Sequence, residues 1–154
     1  MSEFRDFGQL SVGGGGWLID EPLFRLFLDF EIRKAQRLRY SISVVCLAVE
    51  GLAAGNGEGL AGSIAENITR YVRGTDAVAP SPQGWLALLL IDAEITHLPS
   101  ILQRLTSRLE TLGWSAGGSC YPRTATRADD MLGQALELMG KARAEGGNRL
   151  YVAS

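Results

Sequence analysis

The chain has 154 residues, 46% of them hydrophobic and 21% charged, which fits one compact soluble domain with a buried core and leaves little room for a second. Its 15 basic and 17 acidic side chains give a formal net charge of −2 with no block of one sign, which argues against a nonspecific grip on nucleic acid or anionic lipid. The longest strongly apolar run, residues 85–91, falls far short of the about 20 residues that span a bilayer. Met1-Ser2-Glu3 does not open a signal peptide, so the expectation is a cytoplasmic protein without membrane insertion.

Residues 1–12 show no period and are followed by Gly13-Gly14-Gly15-Gly16, so residues 1–16 are expected as a flexible arm with a glycine linker and 17–154 as the folded domain. From 22 to 39, Leu23, Phe24, Phe27, Leu28 and Ile32 recur at helical spacing, with Arg33, Lys34, Arg37 and Arg39 toward the end that favours cations. Residues 42–49 are continuously apolar and β-branched, as in a strand covered on both faces. A Gly/Ala-rich turn over 51–59 leads to Leu60, Ile64, Ala65, Ile68 and Val72, a second helical stripe ending near Arg73-Gly74. Residues 76–79 and 85–91 read as a hairpin closed by Pro80-Ser81-Pro82-Gln83-Gly84. A third helix is marked by Leu98, Ile101, Leu102, Leu105, Leu109 and Leu112, a strand by 114–121, a fourth helix by 128–144, and a closing strand by 150–152. The order α β α β β α β α β implies an α/β fold, a mixed central sheet of about five strands flanked by helices. Cys46 and Cys120 lie in apolar or small-residue stretches without a metal spacing, and read as buried thiols.

In element order and in several strings the chain resembles the GGDEF family, the diguanylate cyclases that condense two GTP molecules into cyclic di-GMP. The resemblance covers about residues 18–152. It rests on Phe24, the strand 44–50, Ile64-Ala65-Glu66-Asn67-Ile68, Arg73-Gly74-Thr75-Asp76, Leu88-Leu89-Leu90, Ser115-Ala116-Gly117 through Tyr121-Pro122, and Ala142-Arg143 with Gly146 and Asn148. It implies the palm-like nucleotidyl cyclase fold. It also implies that catalysis is lost, because phosphoryl transfer needs metal held by carboxylates. The family's Asp-x-Asp string is Ala48-Val49-Glu50 here, and its signature hairpin falls on Pro82-Gln83-Gly84-Trp85-Leu86. The loop carrying the family's guanine-reading Asn is shortened to residues 51–56, ahead of Gly57-Glu58. Arg143 stands at a family Lys and Gly147 at a family Arg. No metal and no cofactor is expected.

What the resemblance retains is an Arg-x-x-Asp string, Arg73 to Asp76, which in the family forms an inhibitory site for an intercalated dimer of cyclic di-GMP; Arg104 falls at a helping Arg, and Arg70 lies one helical turn before Arg73. Guanidinium groups can fork onto a guanine edge or a phosphate, and a carboxylate can accept from guanine N–H groups. The implied function is an inactive GGDEF-like domain serving as a cyclic di-GMP receptor through Arg73, Asp76, Arg104 and Arg70, acting by association with itself as a homodimer or with a heterologous protein. Three alternatives stay open: a nucleotide-free interaction scaffold with Trp85 at its docking face, residual cyclase activity through Glu50 and Glu58, and a plain surface ion pair at Arg73 and Asp76. His97, the only histidine, reads as a surface residue at a helix start.

Overall fold

The computed structural model describes residues 15–50, 57–107, 109 and 112–154, with residues 57–61 described as backbone. In chain order the elements are β1 (Trp17–Leu18), α1 (Glu21–Leu38), β2 (Ile42–Val49), α2 (Gly57–Thr69), β3 (Ala77–Pro80), β4 (Trp85–Ile91), a 3₁₀ turn (Ile95–His97), α3 (Leu98–Thr106), β5 (Trp114–Tyr121), α4 (Ala128–Ala144) and β6 (Arg149–Val152). The strands form one mixed sheet in the order β1-β3-β4-β2-β5-β6. Strand β2 runs antiparallel to both of its neighbours, while β1 and β6 pair parallel with β3 and β5.

Alternation along β2 shows why a continuously apolar strand belongs at the centre. Val45, Leu47 and Val49 enter the layer formed with α2 and α3, whereas Val44, Cys46 and Ala48 enter the layer formed with α1 and α4. Burial in the second layer pushes the Cys46 thiol pKa up to about 12, which keeps it protonated and unreactive. Helix α1 begins where the Asp20 side chain accepts the Leu23 N–H and ends at Arg39 in the left-handed conformation, burying Phe24, Leu28, Ile32 and Ala35. Helix α4 lies across β5 at a place where the strand has no side chain. A Cβ on Gly117 would collide with the Ala135 carbonyl oxygen and the Met139 nitrogen.

Three details differ from the sequence expectation. The sheet has six strands rather than about five, because Trp17–Leu18, too short to show a period, pairs with Ala77 and Val78. Gly15 and Gly16 are buried rather than part of a loose joint, and residues 1–14 lie outside the described residues. Helix α2 stops at Thr69, whose carbonyl accepts from Gly16 instead of from a further helical turn, and α3 stops at Thr106 rather than continuing to Leu112. At that end the Thr106 hydroxyl bonds back to Leu102 O, and tight turns carry Leu109 into the same core layer.

Candidate functional site

After α2 the chain turns through residues 70–76 before entering β3, and this loop holds three of the four residues singled out from the sequence. Asp76 is 3% exposed. One carboxylate oxygen accepts the Arg73 N–H at 2.9 Å and the other accepts the Ile91 N–H at 2.8 Å, so the side chain ties the loop to the end of β4. The surface position that the plain ion-pair reading gives Asp76 is therefore corrected: the Asp just ahead of β3 is buried, and it satisfies part-buried backbone donors that the sheet leaves unpaired.

Arg73 is arranged the opposite way. Its side chain is 61% exposed and its Nε stands 4.0 Å from Asp76 Oδ2, while Nη2 donates to Ile91 O at 2.6 Å. Both polar groups of the Ile91 peptide are thus held by this one loop. Arg104, on the exposed side of α3, reaches back to donate to Tyr71 O at 3.3 Å and lowers the Asp76 pKa through its charge. Arg73, Asp76 and Arg104 consequently share one corner of the molecule. Arg70 sits exposed just beyond α2, and its side chain makes no hydrogen bond or ion pair among the described residues.

Burial pushes the Asp76 carboxyl above the usual carboxylate range, against the pull of the Ile91 and Arg73 N–H groups and of the Arg73 and Arg104 charges. A carboxyl that holds its proton more tightly when folded contributes stability that is fully present below about pH 4, its ordinary value, and is lost as pH rises through the raised folded value. Wild-type stability relative to Asp76→Asn, measured by urea unfolding, should therefore decline as pH rises through that window and then level off. A difference that grows with pH would mean that the N–H and guanidinium contacts outweigh burial.

The face where the resemblance places family catalysis is built differently. Ala48 is buried, paired with Trp85 on one side and Ser115 on the other. Trp85 is half-buried and packs into the α1–α4 layer, with Phe24, Leu132 and Leu136 among the residues around it. The turn before it is internally satisfied: Ser81 N–H donates to Trp85 O, the Gln83 N–H donates to the Ser81 hydroxyl, and Gly84 adopts φ 93°. Glu50 and Arg143 are exposed, and Gly147 has φ 74° against Ser115 and Trp114. The shortened turn at 51–56 and the Glu58 side chain lie outside the described residues. His97 is exposed, its Nδ1 accepting the Glu94 N–H in a reciprocal cap.

Sequence reasoning missed Trp17, whose indole Nε1–H donates to Gly74 O at 3.0 Å, and Ile91, which enters the corner only through its backbone. A tryptophan directly after a glycine run was the one available signal for the first; a backbone contact leaves none for the second.

No protein-family model matches the chain, and no curated protein is similar to it. Solved structures are similar to it. The GGDEF domain of YfiN (TpbB) from Pseudomonas aeruginosa superposes with a TM-score of 0.80 at 18% identity, covering 89% of this chain and 97% of that one. The GGDEF domain of FimX from the same organism gives 0.75 at 18% identity, covering 88% and 94%. The GGDEF domain of DgcB from Caulobacter crescentus, solved in complex with c-di-GMP, gives 0.74 at 12% identity, covering 90% of each. The fold is that of GGDEF domains, as the sequence resemblance implied.

Proposed function

We propose that the domain is a cyclic di-GMP receptor that performs no cyclase chemistry. The observation that carries this reading is the convergence of Arg73 and Arg104, from separate elements, around the buried Asp76 at an exposed corner. Their forks suit the guanine edges and phosphates of the ligand, with Arg70 at the rim. Asp76, taken from sequence as a ligand contact, serves chiefly to hold Arg73. The complex of a fold neighbour with c-di-GMP supports the ligand class. Ala48 at the metal position and Trp85 beside it support the absence of turnover, and the ligand needs no metal. One intercalated ligand dimer bridging Arg73 of one copy to Arg104 of another would link occupancy to association, with a second copy or with another protein.

Isothermal titration calorimetry with cyclic di-GMP, with light scattering on the same samples, tests this. Arg73→Ala is expected to weaken binding at least about 100-fold, as removal of a charge-assisted fork predicts, with little change in unfolding midpoint. Equal affinity in the variant would remove Arg73 from the site. One observation favours the scaffold reading: both Asp76 oxygens and one arm of Arg73 already have partners within the domain. Under that reading cyclic di-GMP gives no heat and no shift in the melting point of the wild type, and substitution of Trp85 weakens capture of a protein partner.

A further inference from the structure

We infer that Trp17 and Gly16 are positioning residues of the ligand site, so that occupancy of the Arg73 loop is transmitted to the segment that leads into β1. The inference rests on the receptor reading above. Three hydrogen bonds bind this segment to the end of α2 and to the C-terminal part of the loop. Gly16 N–H donates to Thr69 O at 2.9 Å, Trp17 N–H donates to Asp76 O at 2.8 Å, and the Trp17 indole donates to Gly74 O at 3.0 Å. Thr69, immediately before the loop, Gly74 within it and Asp76 at its end are all taken, which leaves Arg73 between fixed points.

Contact is close enough to exclude side chains. A Cβ at Gly16 would stand 2.6 Å from Val72 Cγ2, 2.7 Å from Asp76 O and 3.0 Å from Arg73 O, and one at Gly15 would stand 2.5 Å from Thr69 O. On its other side the loop is gripped through Ile91 by Arg73 and Asp76 and through Tyr71 by Arg104. The two grips differ in kind. Those on the Ile91 side include the guanidinium that the ligand would recruit, whereas those on the Trp17 side use only backbone N–H and carbonyl groups and an indole N–H. A ligand that draws Arg73 away from Ile91 O removes one hold of the first kind and leaves the second intact. The Gly74 carbonyl directly follows Arg73 in the chain, so the Trp17 indole is the group placed to follow that movement.

The test is a titration of ¹⁵N-labelled wild-type protein with cyclic di-GMP, following the three indole N–H resonances, with Trp17 assigned by elimination in Trp85→Phe and Trp114→Phe. The Trp17 signal is expected to shift with the same midpoint as the calorimetric heat. Trp17→Phe, which keeps a ring on β1 and drops the donor, is expected to weaken binding about five-fold, the loss of one ordinary hydrogen bond. Gly16→Ala, folded by circular dichroism, is expected to weaken it further by displacing the loop. Binding with a silent Trp17 signal and unchanged affinity in Trp17→Phe overturns the inference while the receptor reading stands. Absence of wild-type binding overturns both.

Discussion

Asp76→Ala is expected to lower the free energy of unfolding at neutral pH by about 3 kcal/mol, because two backbone donors, on Arg73 and Ile91, lose their acceptor at once and each unsatisfied donor costs roughly 1–3 kcal/mol. For a chain of this size that is a fall in midpoint of about 6–12 °C. Read from the string alone, with Asp76 at the surface, the same substitution would leave the unfolding curve almost unchanged. Burial does make the ionised carboxylate costly, as its raised pKa records, but removing it does not recover that cost while the N–H groups remain in place. Asp76→Asn retains one acceptor and should lose about half as much. Arg73→Ala removes one exposed hydrogen bond to Ile91 and should cost about 1 kcal/mol or less. Urea unfolding of the three variants checks the order, and an Asp76→Ala change within about 0.5 kcal/mol would sink the idea of a lock at this corner.

Gly117→Ala should be at least as damaging, although it adds a single methyl group. The new atom would meet the Ala135 carbonyl oxygen and the Met139 nitrogen, which are backbone atoms of α4 with no rotamer to change. Overpacking a core typically costs 1–3 kcal/mol where side chains can adjust. Here the helix itself has to rise from β5, so a loss of about 3–4 kcal/mol is expected. Gly133→Ala, on the exposed side of α4 where a Cβ meets nothing within 4 Å, is the matched control and should be neutral or slightly stabilising. Parallel thermal melts decide the point, and equal midpoints for the two variants would refute the close approach.

Much of the fold was legible because its elements carry strong periods. The span 128–144 emerges as α4 at both of its ends, and 42–49 and 114–121 emerge as β2 and β5, since long buried runs bounded by turns leave few alternatives. Trp17–Leu18 was not legible, as two residues have no period and their pairing with β3 is a long-range event. The end of α2 was misplaced for a related reason: the Gly16 N–H, distant in sequence, takes the carbonyl that another helical turn would have used. At the candidate site, the grouping of Arg73, Asp76 and Arg104 followed from the resemblance, whereas the division of labour among them did not. Spacing alone cannot show that one member of an Arg-x-x-Asp string is buried and the other exposed.

The arrangement of the sheet also governs how the protein fails. Trp85–Ile91 is a seven-residue, uncharged, strand-forming run, the composition that assembles readily into cross-β stacks when released. In the native sheet it lies inside, with β3 on one side and β2 on the other, while the two rims are left to strands of two and four residues. Among the described residues the folded molecule therefore offers neighbours little to zip onto, and the hazardous segment is hidden until the domain opens. Shelf life in concentrated solution is then set by how often the centre of the sheet comes apart, so the lock at Ile91, at the far end of that same segment, guards against precipitation as well as shaping a binding site.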